Sequence, residues 1–321
     1  MTDMGVFTLS LDTELAWGSF DKGGLERFGA AYRRTPVVVD RLCDLFERYS
    51  VSATWAFVAH LFDDCETHVS DDQERITWLA NAPCRTGTDR SLWYRPDLLD
   101  TVLNCPTPQD IGLHGYSHLK FDDHSRDAAD EELTDAVRAA SEAGLDPTAF
   151  VFPRNGVAHV DLLEEYGVDA YRGVDARWYE RHAVPGTGRK PLRYLDEATI
   201  RTPPTTVPTE RGGVVCVPGS QIYRPDHGAW AWTPRESQRR RARKGLDCAV
   251  ETGRLFHLWF HPFNLAHDID NSLSMLEDIL AYATSLRDAG NLDILSLSEV
   301  ADAYRDGRWS DTPHRQSPVT P

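Results

Sequence analysis

Lysine is scarce in this sequence, and positive charge as a whole falls short of negative charge. Only four of its 34 basic residues are lysines, and 50 acidic residues bring the formal net charge to −16. A surface of this sign repels nucleic acids and anionic membranes, so we expect neither as a partner. An acid-rich, lysine-poor composition suits concentrated salt, which screens the self-repulsion. We therefore predict a halophilic protein.

Segments that would anchor or export the chain are lacking as well. No stretch approaches the roughly 18 apolar residues of a membrane-spanning helix, and the apolar run at residues 6–11 has no basic region before it. A secretory signal would have one, so we predict a cytoplasmic protein that is not an integral membrane protein. Six scattered cysteines without C-x-x-C spacing are expected to be reduced and structural.

Nucleotide-binding motifs are absent too. No G-x-G-x-x-G opens a helix and there is no P-loop, which argues against the common nucleotide-binding folds. The sequence instead alternates short apolar strands with amphipathic helices. This pattern predicts an α/β fold, a single (β/α) barrel over residues 1–306 with insertions at about 62–92 and 179–211 and a disordered tail at 307–321. A doubly wound open sheet is the alternative.

Two acids end the first predicted strand, in the stretch SLDTE at residues 10–14. Side chains alternate between the two faces of a strand, so Asp12 and Glu14 share one face while Leu9 and Leu11 share the other. In a β/α barrel the apolar face packs under the helices, and the last polar residues emerge at the C-terminal mouth, where such enzymes work. Taken alone, the pair also fits a turn cap and a partner for an arginine.

Two histidines four residues apart follow another predicted strand end, in IGLHGYSH at residues 111–118. On a helical turn, His114 and His118 would lie on one face and bind one metal ion. A strand-end carboxylate would supply the third ligand, which completes a set typical of hydrolytic metal sites. Two polar histidines with ordinary hydrogen-bond partners are the alternative.

A second H-x-x-x-H, in LFHLWFHP at residues 255–262, alternates differently. His257, Trp259 and His261 share one face with apolar residues between them, which indicates a strand. The two histidines would then lie about 13 Å apart and could not share one metal ion. We predict that His257 is structural and that His261, at the mouth, serves in proton transfer.

In this order, the Asp-x-Glu strand end, His-Gly-Tyr-Ser-His and Trp-Phe-His-Pro resemble the polysaccharide deacetylases of the NodB-homology type. The resemblance covers about residues 5–300 and includes Ala-Thr-Trp-Ala-Phe at residues 53–57. The chain departs from the family pattern at Thr13, where the family has its metal-binding aspartate, and at Arg154, which follows Pro153 instead of preceding the proline. The resemblance implies a distorted barrel of seven strands, of the glycoside hydrolase and deacetylase type.

The resemblance also implies a chemistry. It is the metal-dependent removal of N- or O-linked acetyl groups from a sugar or glycan, a hydrolysis of carbon–nitrogen bonds other than peptide bonds in the N-linked case. The cofactor would be a divalent metal, with zinc the expected ion. Carried over by motif, the implied catalytic residues are Asp12 as base, His261 as acid and Arg154 as the group that orients the base, and the implied metal ligands are Glu14, His114 and His118.

Further residues are candidates for substrate contacts near the mouth. They are the side chains of Trp17, Asp175 and Trp259, a backbone N–H near Tyr116, and a further aromatic residue, Trp178. The basic run at residues 239–244 is either a phosphate clamp for a nucleotide- or lipid-linked sugar or the solvated face of a helix. The acidic residues between 122 and 132 are expected to form a solvated surface.

Two other functions fit the same sequence. One is a hydrolase of a cyclic amide or imide on the same fold, and the other is a catalytically inactive glycan-binding domain. Acetate release from acetylated sugars would distinguish a deacetylase from the cyclic amide hydrolase. Bound metal together with amide hydrolysis would exclude the inactive glycan-binding domain. The identity of the sugar and the oligomeric state are not encoded in any of these motifs.

Overall fold

One curled β-sheet, enclosed by helices, organises the chain. The computed structural model describes residues 4–63, 72–80, 82, 89–177, 179, 186–225, 230 and 233–310. Within them the strands are β1 (Gly5–Thr13), β2 (Thr54–Phe57), β3 (Asp110–Leu113), β4 (Ala149–Val151), β5 (Ala170–Gly173), β6 (Thr209–Arg211), β7 (Val214–Pro218), β8 (Gln221–Ile222), β9 (Leu255–Phe260) and β10 (Leu292–Ile294). The helices are α1 (Gly24–Tyr49), α2 (Gln73–Ala80), α3 (Pro96–Leu103), α4 (Arg126–Glu142), α5 (Val160–Glu165), α6 (Gly186–Ala198), α7 (Arg235–Thr252), α8 (Ile269–Asp288) and α9 (Leu297–Arg305).

Seven parallel strand positions form a ring. Strand β1 pairs with β2 on one side and β9 on the other, and the pairing continues from β2 through β3, β4 and β5 to β7. Only Gly219 and Ser220 separate β7 from β8, which pairs with β9. The segment 214–222 therefore closes the ring from β5 to β9. The predicted seven-stranded (β/α) barrel is confirmed.

Two strands lie outside the ring, and a glycine shapes its closure. Strand β6 pairs antiparallel with β7, and β10 pairs with the first residues of β1. At the bend between β7 and β8, a Cβ on Gly219 would lie 2.1 Å from Oδ1 of Asp175. Only glycine fits there without displacing that carboxylate.

Alternation along β1 separates two environments, as the sequence predicts. Leu9 and Leu11 are fully buried in the apolar layer between the ring and the outer helices. Each such leucine contributes about 2 kcal/mol through burial of its side chain. Ser10 and Asp12 face the ring interior, where they contact His257 of β9 and Arg172 of β5.

Helix α9 closes the end of the ring opposite the strands' carboxyl ends. It packs against β1, β5 and β7, and begins with a capping box in which Ser296 and Glu299 satisfy each other's backbone N–H groups. Val6, Val300 and Trp309 belong to the apolar cluster at this end. Because this end is apolar and filled, the polar chemistry is confined to the carboxyl ends of the strands. Trp309, within the tail predicted at residues 307–321, is buried in this cluster, and residues 311–321 lie outside the described part of the chain.

Two segments predicted as insertions contain regular structure. The 62–92 region holds α2, and the 179–211 region holds α6 and β6. The second region is rich in glycine and proline, but Glu197 of α6 pairs with Arg241 of α7 in a buried contact. Tertiary contacts of this kind override composition. Helix α1 begins as early as Gly24, and its first half is held in place because Tyr32 packs against Phe263.

The cysteines do not all behave as expected. Cys43 of α1 and Cys105, just beyond α3, form a disulfide with a Cα–Cα distance of 5.4 Å, so the prediction of reduced thiols is wrong for this pair. They are 62 residues apart, and the packing of α1 on α3 brings them together. Cys216 and Cys248 are free thiols, and Cys65 and Cys84 lie outside the described residues.

Among the described helices, none combines the length and apolarity required to cross a bilayer.

Candidate metal centre

Three side chains from two loops converge at the mouth of the ring. Glu14 directly follows β1, and His114 and His118 follow β3. Their ligand atoms lie within 4.8 Å of one another, with Oε2 of Glu14 at 3.3 Å from Nε2 of His114 and 3.0 Å from Nε2 of His118. All three residues are buried. The structure therefore brings together the three predicted metal ligands.

The ring nitrogens of both histidines suit a cation. Nδ1 of His114 lies 2.7 Å from the carbonyl oxygen of Val151, so Nδ1 carries the proton and Nε2 offers a lone pair towards Glu14. The ring nitrogens of His118 are buried; Nδ1 has no hydrogen-bond partner among the described residues, and Nε2 lies 3.0 Å from Oε2 of Glu14. Burial lowers the pKa of His118 and favours the neutral imidazole that a metal ion binds. Two imidazoles whose Nε2 atoms face one carboxylate fit a divalent cation, and together they form an open zinc-type ligand set.

The loop that carries these histidines is not the helical turn expected from their spacing. Residues 114–120 are irregular, with φ of +74° at Gly115 and +62° at His118. A non-glycine residue in this region is strained and persists only where its surroundings fix it. In this backbone conformation the imidazole of His118 faces Glu14. Contacts around the loop maintain the conformation.

Glu132 of α4 is the main contact that fixes this loop. Its Oε1 accepts hydrogen bonds from the backbone N–H groups of Ser117 at 2.6 Å and Leu119 at 3.2 Å. The guanidinium of Arg75, fully buried on α2, lies 3.3 Å from its Oε2. Glu132 is itself fully buried, so the expectation that it belongs to a solvated acidic surface is wrong. The sequence signal for it was weak, because it stands among exposed acids of the same helix.

A glycine gives Glu14 its space. A Cβ on Gly18 would lie 2.0 Å from Oε1 of Glu14, so the backbone of the 3₁₀ helix Leu15–Gly18 lies directly against the carboxylate. Any side chain at residue 18 would push Glu14 out of the cluster. Burial alone would raise the pKa of Glu14, but His261 and His118 hold it well below its usual range.

Asp12 and His261 lie beside the three ligands. Nε2 of His261 is 3.6 Å from Oδ2 of Asp12 and 3.5 Å from Oε1 of Glu14. Asp12 forms a bidentate ion pair with Arg172 of β5, whose Nη1 and Nη2 lie 2.5 and 2.7 Å from Oδ1 and Oδ2 of Asp12. Burial raises the pKa of Asp12, but Arg172 and His261 outweigh it and the net pKa lies below its usual value. Asp12 is thus an ionised carboxylate at neutral pH.

The arginine that contacts Asp12 is Arg172, and the prediction that Arg154 orients this base is corrected. Arg154 instead contacts Asp21 and the carbonyl oxygen of Gly18. The sequence did hold a signal for Arg172, since side chains alternate along β5 and its neighbour Tyr171 lies in the apolar cluster on the other face. Its distance from Asp12 along the chain concealed the pairing.

His257 is buried behind this ion pair, as its predicted structural role requires. Arg172 Nη1 lies 3.2 Å from Oγ of Ser10, which lies 2.8 Å from Nε2 of His257. Because arginine only donates, Oγ of Ser10 accepts from Arg172, and the serine proton remains available for Nε2 of His257. Burial lowers the pKa of His257 to about 3, so this imidazole is neutral at pH 7.

The candidate substrate contacts divide into two groups. Trp17 and the Tyr116 side chain are fully buried against His60, with Trp17 stacked on its ring and Tyr116 tilted against it, so they are core residues and the prediction that Trp17 contacts substrate is wrong. The backbone N–H of Tyr116 stays a prediction. Trp259 and Asp175 lie at the mouth, where Nε1 of Trp259 donates to Oδ1 of Asp175 at 2.8 Å. Trp178 lies outside the described residues.

The basic run at residues 239–244 is engaged within the protein. Arg239 pairs with Asp278 and Glu236, Arg241 pairs with Glu197, and Lys244 donates to the carbonyl oxygen of Ile200. These contacts favour the helix-surface interpretation over a phosphate clamp.

Comparison with family models and with curated proteins found no match. Solved structures do match over nearly the whole chain. A Mycobacterium smegmatis protein assigned as a polysaccharide deacetylase is 14% identical with a TM-score of 0.63, over 95% of this chain and 92% of its own. The PuuE allantoinase is 12% identical with a TM-score of 0.61, over 94% and 90%.

A Pseudomonas aeruginosa PAO1 protein assigned as a polysaccharide deacetylase is 14% identical with a TM-score of 0.58, over 94% and 92%. Likeness at this level of identity concerns the fold. The chain therefore has the distorted (β/α) barrel fold that these proteins share.

Proposed function

We propose that this protein is a metal-dependent hydrolase that removes N- or O-linked acetyl groups from a sugar or glycan. One observation carries the proposal: a carboxylate and an imidazole, Asp12 and His261, lie 3.6 Å apart beside a complete two-histidine, one-carboxylate ligand set. Metal-assisted hydrolysis of an acyl bond uses these parts in one place. The fold shared with proteins assigned as polysaccharide deacetylases supports the substrate class.

The chain's own residues divide the work of the reaction. A divalent cation held by Glu14, His114 and His118, zinc in our proposal, would supply Lewis acidity towards the acyl carbonyl and lower the pKa of a water molecule. Asp12 is the general base and accepts the proton of the attacking water, since Arg172 keeps it ionised. His261, the most exposed of the group, donates a proton to the leaving amine or alcohol. Catalysis of this kind contributes about 10²–10⁴-fold for each group.

Trp259 and Asp175 are proposed to contact the substrate beside His261. The guanidinium of Arg172 lies 4.2 Å from the ring centroid of Trp259, and Asp175 accepts a hydrogen bond from Nε1 at the edge of the indole. The indole is therefore fixed in one orientation, with 5% of the residue exposed. A rigid aromatic face at a mouth suits the apolar face of a sugar ring.

A second candidate function is the hydrolysis of a cyclic amide. The likeness to the PuuE allantoinase, at a TM-score of 0.61, favours it, and the same ligand set, base and acid would serve ring opening. An inactive glycan-binding domain is less consistent with the site, because such a domain has no need for a complete ligand set with an ionised base beside it.

The test is acetate release by the purified protein loaded with zinc. We expect acetate from N- or O-acetylated sugars, no ring opening of ureides or imides, and loss of acetate release in the Asp12→Asn variant. Ring opening without acetate release would replace the deacetylase by the cyclic-amide hydrolase. A protein that binds zinc but hydrolyses neither substrate class would contradict the proposed function.

A further inference from the structure

An ion pair spans the mouth of the barrel. Arg154, in the 3₁₀ turn Pro153–Asn155 after β4, contacts both carboxylate oxygens of Asp21 and donates to the carbonyl oxygen of Gly18 at 3.2 Å. Both acceptors belong to the short 3₁₀ helices that follow β1. In the ring, β1 and β4 are separated by β2 and β3. The bridge therefore passes over the carboxyl ends of β2 and β3, where His114 and His118 lie.

The turn that carries the bridge is conformationally costly. Arg154 and Asn155 both have a φ of +56°, which neighbouring non-glycine residues rarely share. Such a conformation persists only where the surroundings fix it, and it concentrates at functional sites. Here Arg154 is held by Asp21, and Oδ1 of Asn155 accepts from Nη2 of Arg172 at 3.2 Å. One strained turn thus links the loop after β1 to the arginine that holds Asp12.

Access to the site is uneven. The side chain of His261 is 20% exposed, whereas those of His114 and His118 are 1% exposed and that of Glu14 is 6% exposed. His261 follows β9, which lies on the opposite side of β1 from β2. The mouth is therefore open on the β9 flank and covered on the β2–β3 flank, below the bridge.

We propose that the Arg154–Asp21 bridge closes one flank of the site, so that the protein acts on an acyl group of a small molecule or of a terminal glycan unit. A polymer bound through an internal unit must leave the site on both sides of that unit, and the bridge occupies one of these paths. The inference rests on the proposed function, because it applies to the binding of an acylated substrate at this site. It adds a substrate class, small or terminal, that the ligand set alone does not specify.

The test compares substrate sizes in variants that remove the bridge. Asp21→Ala and Arg154→Gln would be assayed with zinc on 4-nitrophenyl acetate and on tetra-N-acetylchitotetraose, with mass-spectrometric mapping of the deacetylated unit. The matched control is Asp169→Ala, which removes an exposed arginine–aspartate pair with Arg305 at the far end of the barrel. We expect the natural sequence and the control to act on terminal units only. Removal of the bridge should make internally deacetylated product appear, which the natural sequence and the control do not form, with the rate on 4-nitrophenyl acetate little changed.

A second measurement needs no substrate. In the metal-free protein, diethyl pyrocarbonate should modify His261 readily and His118 slowly, and removal of the bridge should speed modification of His118 about fivefold without an effect in the control. Internal deacetylation by the natural sequence, or modification of His118 at equal rates with and without the bridge, would overturn the inference. If the natural sequence hydrolyses no acyl probe, the proposed function fails while the histidine measurement still decides whether the bridge covers this flank.

Discussion

Asp12 of β1 and Arg172 of β5 face each other across the barrel interior and form a bidentate ion pair at 2.5 and 2.7 Å. Both side chains are almost completely buried, so each charge is stabilised by the other in place of water. Removing one partner of such a pair typically costs about 3–5 kcal/mol. We expect Arg172→Gln to lower the free energy of unfolding by about 3 kcal/mol in urea denaturation. Arg305→Gln, in an exposed pair with Asp169, should cost less than about 1 kcal/mol; equal losses in the two variants would contradict this account.

Substitution of a metal ligand and substitution of the base should have different effects on zinc affinity. We expect His114→Ala to lose more than about 100-fold in zinc affinity and to lose turnover, because the cluster loses one of three ligands. Asp12→Asn should keep zinc and lose turnover. Zinc content by mass spectrometry and competition with a chelating dye check both, with exposed His267→Ala as the control. Full zinc occupancy in His114→Ala would contradict the assignment of His114 as a ligand.

Glu132 should matter for metal affinity although it touches no ligand atom. It accepts the N–H groups of Ser117 and Leu119 and so fixes His118 in its strained conformation. We expect Glu132→Gln to weaken zinc binding about 10–100-fold, the usual effect of losing a group that orients ligands. Glu131→Gln is the matched control, since Glu131 also pairs with Arg75 and accepts from the backbone N–H of Asp72, outside the ligand loop. Equal zinc affinity in the two variants would show that the ligand loop keeps its conformation without Glu132.

Acid should destabilise the protein through His257. Its pKa is about 3 in the folded state and about 6.5 when the chain is unfolded. Between these values the unfolded state binds a proton that the folded state does not, so stability falls as pH falls, by about 1.4 kcal/mol per pH unit. In urea denaturation between pH 6.5 and 4.5, His257→Gln should lose stability less steeply than the natural sequence. The exposed His267→Gln should leave the slope unchanged; a slope unaffected by His257→Gln would contradict the prediction.

Salt should stabilise the protein. With a formal net charge of −16, self-repulsion opposes the compact state, and molar salt reduces the Debye length to about 3 Å. We expect the melting temperature to rise steadily from 0.1 M to 3 M KCl, measured by differential scanning fluorimetry. Sorbitol at matched water activity is the control for effects other than screening. A protein fully folded and no more stable in molar salt would remove the halophilic prediction.

Local patterns were sufficient for much of the fold and part of the site. Alternation along β1 placed Asp12 and Glu14 on the inward face, and the spacing of strands and helices indicated the barrel. The two H-x-x-x-H motifs were distinguished because strand and helix have different periods. His114 and His118 do meet one carboxylate, although the loop that brings them together is irregular and not helical.

Contacts between distant parts of the chain were beyond such patterns. Nothing near Arg154 indicated that it would bridge to Asp21 while Arg172 took the place beside Asp12. Glu132 looked like its exposed neighbours until the packing of α4 placed it against the ligand loop. Trp17 looked like a residue of the mouth, but the aromatic residues around it place it in the core.

The sequence by itself determined the periodicities, and with them the barrel and the inward acids, because the period of a strand or helix is a property of the backbone that each residue reports locally. Tertiary structure alone decided which charge pairs with which. Asp12 and Arg172 are 160 residues apart, and the closure of a seven-strand ring sets the distance between their side chains. Local spacing does not carry that information, because it depends on the position of every strand between them.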